Sequence, residues 1–110
     1  MTSRKEHELA MSLADEADAL LRAGDKPGAA AVLLRAAAHE EQALLLSKAG
    51  PSQAILTRST AWLLVHAYDA APDPAHITKA RELVEAQLAR SDVLAGDLRA
   101  VLTACERRQA

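Results

Sequence analysis

Ala17-Asp18-Ala19-Leu20-Leu21-Arg22-Ala23-Gly24-Asp25-Lys26-Pro27-Gly28-Ala29-Ala30-Ala31-Val32-Leu33 is the stretch that decides the fold. It holds the end of one helix and the start of the next with almost nothing between. Gly24 stands where glycine ends a helix in the left-handed conformation. Asp25 follows at once as a side-chain cap for the next helix, and Pro27 is tolerated in a first turn. On either side the apolar residues keep helical spacing: Leu9, Leu13, Ala17, Leu20 and Leu21 before the turn, and Ala29, Leu33, Ala36, Ala37, Leu44 and Leu45 after it. So short a connection makes the two helices antiparallel neighbours.

Working outward, the first helix begins at Ser3, with Glu6 three residues on as a capping box. The second ends at Gly50-Pro51. Pro51 and Ser52 open a third, whose middle, Ala61-Trp62-Leu63-Leu64-Val65, is apolar nearly all round. A helix of that kind is covered on several sides, which places it at the centre. Asp73-Pro74 after Ala71-Pro72 is a cap with proline at the first helical position. The fourth helix carries Ile77, Ala80, Val84 and Leu88. Ser91 or Asp92 starts the fifth, striped by Leu94, Leu98, Val101, Leu102 and Cys105 and polar opposite (Asp97, Arg99, Glu106, Arg107). The expectation is one all-α domain over 1–110 of about five antiparallel helices, at roughly 4–23, 26–48, 52–70, 74–90 and 92–108, the last covering one end of the stack.

Composition agrees. The chain has 26 alanines and 17 leucines against five valines, two isoleucines and no phenylalanine. Alanine and leucine are the strongest helix formers, while β-branched and aromatic residues fill strands. Alanine also lets helices approach closely. Net charge is −2, with no basic excess for a phosphate backbone, so no nucleic-acid partner is expected. Cys105 is the only cysteine, which excludes an internal disulfide and a cysteine-built zinc site. The N-terminus has no apolar signal core, and apolar runs such as Ala61–Val65 are far short of a membrane span. A cytoplasmic protein with no membrane partner is expected.

Ala17, Leu20, Gly24-Asp25, Ala29, Leu33 and Ala36 resemble the small and large packing positions of a tetratricopeptide repeat. Ala80 and Val84 could play the same parts in the second helix pair. There the pattern departs: the Ala71–Thr78 connection is longer than the repeat allows, and the proline that closes a unit is missing. Two copies are also fewer than the three that usually make such a stack stable. A longer resemblance runs through Ala37-Ala38-His39-Glu40-Glu41-Gln42-Ala43-Leu44, Arg58-Ser59-Thr60-Ala61-Trp62-Leu63 and Asp97-Leu98-Arg99-Ala100-Val101-Leu102. These segments are similar to small bacterial tetratricopeptide-like helical proteins of uncharacterised role. What the resemblance implies is a helical-hairpin stack that binds another protein, with no reaction attached.

The candidate partner-binding residues lie on the second and third helices. Arg35, His39 and Gln42 share one helical face, and so do Arg58, Trp62 and His66, with Asp69 beyond them. Folding back about Gly50-Pro51 sets residue 39 opposite 62 and residue 35 opposite 66, so that both sets could line one groove. Arginine and tryptophan are enriched at binding hot spots. The same side chains also read as polar edges of a packed pair, with Arg58 bonded to Glu40 or Glu41 and Trp62 in the core.

No catalytic residue, metal ligand set or cofactor is expected. No Glu-x-x-His pair of the di-iron type occurs. The serines lack a sharp glycine turn, and no glycine-rich phosphate loop exists. Cys105 sits on an apolar stripe, where a thiol behaves as a small hydrophobe. Among enzymes the nearest resemblance is to small helical ribonucleases of the higher-eukaryote-and-prokaryote nucleotide-binding type. Three residues separate Arg35 from His39 and seven separate Arg58 from His66, and both spacings miss that signature. A non-catalytic adaptor or regulatory subunit is therefore expected. The alternatives are such a ribonuclease or a subunit that self-assembles through a bare apolar edge of its first helix.

Overall fold

The computed structural model describes residues 1–48 and 50–110. Five helices follow one another: α1 (Ser3–Arg22), α2 (Lys26–Leu46), α3 (Pro51–Ala70), α4 (Pro74–Arg90) and α5 (Ala95–Gln109). There is no strand among the described residues, as an alanine- and leucine-rich chain requires.

The first turn is built as its sequence reads. Gly24 takes φ +83°, and two bonds close α1 behind it, from the Gly24 N–H to the Leu21 carbonyl (3.0 Å) and from the Asp25 N–H to the Leu20 carbonyl (2.9 Å). The Asp25 carboxylate then accepts from the Gly28 N–H at 2.9 Å and caps α2. A Cβ on Gly28 would collide with that carboxylate, so glycine here keeps the cap in place. Asp73 caps α4 through the Ala75 N–H (3.0 Å).

Two helix starts differ from expectation. Thr2, not Ser3, caps α1, accepting from the Lys5 N–H at 3.1 Å. Ser3 lies inside the helix and donates to the Ala43 carbonyl of α2 (2.7 Å), and Glu6 turns to a histidine of α2 rather than back to the cap. The fifth helix starts at Ala95, after the expected Ser91 or Asp92. Ser91 ends α4 and accepts from the Val93 N–H (3.1 Å), and Leu94 sits at φ +57° as the residue before α5. A serine and an aspartate side by side look like a cap, but here they form a turn of their own.

α2 packs on α1 and α3, α3 on α2, α4 and α5, and α4 on α5. The third helix is thus central, and Leu63, Leu64 and Val65 are all at most 7% exposed. Cross-links set the directions. In the α1/α2 pair, Ser3 meets Ala43 while His7 meets Glu40, so the helices are antiparallel. In the α3/α5 pair, Arg58 meets Asp97 and Asp69 meets Arg108, both 39 residues apart, so those two run parallel. Lys79 of α4 pairs with Glu41 of α2 at 2.8 Å. The result is two layers, α1, α3 and α5 over α2 and α4, in a slab with extents of 38 × 37 × 19 Å.

Alanines hold the layers close: Ala10, Ala17, Ala29, Ala36, Ala61, Ala67 and Ala80 are fully buried. Larger residues fill the space beside them, and α5 is anchored by buried Leu98, Val101 and Cys105, of which Leu98 and Val101 each contribute about 1.5–3 kcal/mol. The stripe of α1 is rotated from the one that its leucines mark. Leu9 and Leu21 are about two-fifths exposed, and Leu45 of α2 is 70% exposed. The edge helix α1 packs through Glu6, Ala10 and Ala17, because small residues permit the closest approach to α2. No described helix is long and apolar enough to cross a membrane.

Candidate functional site

Because α1 and α3 each pack on α2 and barely on each other, an open groove of about 640 Å³ runs between them. Leu33 of α2 is part of its floor. One wall is Met11, Ala14 and Asp18 of α1, spaced as a helix face requires. The other is Arg58, Ser59, Trp62, Leu63 and His66 of α3.

Trp62 does two things at once. It packs against the core cluster and also lines the groove. His66, one turn on and exposed, stacks with it at 5.9 Å between ring centroids and 27° between planes. The Arg58 guanidinium donates to Asp97 of α5 at 2.6 Å, rather than to Glu40 or Glu41.

The structure thus brings Arg58, Trp62 and His66 together. Arg35 and Gln42 are exposed on α2 and line none of this groove. His39 faces α1, its Nδ1 2.6 Å from the Glu6 carboxylate. The fold-back register is close to the expected one, since Glu40 meets Ser59. The rotation of α2 about its own axis decides the rest, and it turns His39 towards α1.

Beneath the groove lies a polar network that the sequence reading did not single out. Glu40 is fully buried. Its carboxylate accepts from the Ser59 hydroxyl at 2.5 Å, and His7 Nδ1 lies 2.8 and 3.0 Å from its two oxygens. One residue on, the roles exchange: Glu6 of α1 meets His39 of α2. A signal was present in the chain, because Glu6-His7 and His39-Glu40 are reversed dipeptides on helices that run antiparallel. Chemically the network is a strut. Ser59 of α3 donates to the Glu40 carboxylate of α2, which His7 of α1 also meets, so one buried group ties three helices together.

At the far end of α3, Asp69 accepts two bonds from Arg108, at 2.7 and 2.8 Å. That contact holds the Asp69 carboxyl below its ordinary range and raises the Arg108 guanidinium. Burial pushes the Cys105 thiol up, away from the thiolate that reactivity needs. Among the described residues no group of three or more His, Cys, Asp or Glu is placed to hold a metal ion.

Compared with protein-family models, with curated proteins and with solved structures, the chain matches none.

Proposed function

We propose that this chain is a tetratricopeptide-like interaction module that works by binding another protein rather than by catalysis, with the α1/α3 groove as its site. The observation that carries this reading is the groove itself: a preformed cleft with an apolar floor that displays a tryptophan and an arginine, side chains that dominate binding energy. The scaffold behind it is rigid, with alanine-packed helices and a satisfied polar network under Ser59, so a partner segment meets little need for rearrangement.

The tetratricopeptide likeness rests on the first helix pair, where Ala17, Ala29, Leu33 and Ala36 are all buried at the crossing. The second pair is looser. Level residues on the parallel helices α3 and α5 are 39 apart, against about 34 in a tetratricopeptide unit. The connections Ala71–Asp73 and Ser91–Leu94 are short, while α3 and α4 run to 20 and 17 residues.

The test is capture of partners from a lysate of the source cells by the tagged chain, side by side with Arg58→Ala and Trp62→Ala. A stoichiometric protein held by the wild type and lost from both folded variants is the expected result. Recovery of the chain alone would sink the reading. A second reading, self-association, is favoured by one feature: Met1, Leu45, Leu46 and Ile55 are 45–76% exposed near the end of the stack where α1 starts and α2 meets α3. A mass that rises with concentration in sedimentation would support it.

A further inference from the structure

The charges around the groove are not equally engaged. Arg58 is held by Asp97 at 2.6 Å, and Arg108, farther along the same side, is held by Asp69 at 2.7 Å. Glu40 below is occupied by His7 and Ser59. Asp18 on the opposite wall is exposed and forms no ion pair among the described residues, including none with Arg22 one turn away. The surrounding half of α1 adds Asp15 and Glu16, both exposed. An acidic ligand would meet an Arg58 already held by its aspartate, with only the exposed His66 imidazole beside it, whereas a cationic one finds a carboxylate that forms no ion pair among the described residues. The indole of Trp62 lines the same groove, and tryptophan is the strongest aromatic acceptor for a cation.

From this charge complementarity, and resting on the groove reading above, we infer that the α1/α3 groove takes a partner segment that presents an arginine or lysine side chain to Asp18 and Trp62. The rest of the segment is apolar, to match Met11, Ala14 and Leu33. Arginine suits the site better than lysine, because its planar, weakly hydrated guanidinium bonds a carboxylate in a fork and packs on aromatic surface, here beside the Trp62–His66 stack. The carboxylates of α1 also steer such a segment in, at a rate that falls with salt.

Selection of short randomised peptides on the immobilised full chain tests this directly. Trp62, the only tryptophan, then reports the affinity of the selected peptides through its emission. The expected pool is enriched in arginine and lysine. Its members should bind Asp18→Asn roughly five- to tenfold more weakly, and Asp18→Lys more weakly still. Asp18 is on an exposed helix face, so both variants should keep the wild-type melting curve. A pool without cationic excess, or cationic peptides that bind the Asp18 variants as well as the wild type, overturns the inference and leaves the groove reading standing. Failure to enrich any peptide overturns both.

Discussion

The α1/α2 seam and the α3/α5 seam both use charged side chains, in opposite ways. Between α1 and α2, Glu40 is fully buried with His7, and Glu6 is nearly so with His39. Between α3 and α5 the pairs Arg58–Asp97 and Asp69–Arg108 sit at the rim, with side chains 27–54% exposed. A buried carboxylate has lost its water and depends on every partner it has, whereas an exposed pair returns to water when broken. The first seam therefore specifies register and rotation at high stakes. The second adjusts a contact that Leu98 and Val101 already secure by burial.

The largest effect should come from breaking the first seam. Glu40→Ala removes the carboxylate that Ser59 and His7 both bond and leaves a void in its place. A loss of about 3 kcal/mol is expected, seen as a fall in Tm of more than roughly 10 °C in thermal unfolding followed by circular dichroism. A change of under about 1 kcal/mol would show that Glu40 is a passenger. The turn beside this seam gives the next test. Gly28→Ala crowds the Asp25 cap and should cost about 1 kcal/mol. Gly96→Ala, in α5 with open space around its Cβ position, should instead stabilise by about 0.5–1 kcal/mol. Like signs for the two glycines in urea titrations would break the contrast.

Smaller effects belong to the rim. Asp97→Ala and Arg108→Ala should each cost about 0.5 kcal/mol or less, and the loss should shrink further in high salt. The smallest is the pH dependence of Asp69. Its folded carboxyl ionises below its ordinary range because of Arg108, so the stabilisation is fully present above the unfolded aspartate pKa of about 3.9 and is lost as pH falls through the folded value. Asp69→Asn should therefore lower stability slightly near neutrality and lose nothing from this pair at acid pH. Equal differences from wild type at both pH values would contradict that assignment.

Much of the fold was legible because local rules carry it. Gly24-Asp25 and Asp73-Pro74 mark their turns by conformational preference and capping chemistry alone, and the all-round apolar stretch Ala61–Val65 marks the central helix. Trp62, Arg58 and His66 were legible as one face by spacing. Leu9, Leu21 and Leu45 misled, because helix periodicity weights a leucine above an alanine while close packing prefers the alanine. Ser91-Asp92 misled because cap chemistry also serves tight turns.

What the sequence alone determined was the helical class, the five-helix order and the short turns, since propensity, caps and periodicity act within a few residues. Only the tertiary structure decided which way each helix turns about its axis. That rotation set His39 against Glu6, gave Glu40 to His7 and Ser59, paired Arg58 with Asp97 and left Asp18 facing the groove with no ion pair among the described residues. Its physical cause is the contest between close alanine contacts and the need to satisfy buried carboxylates, and both are settled only when the helices meet.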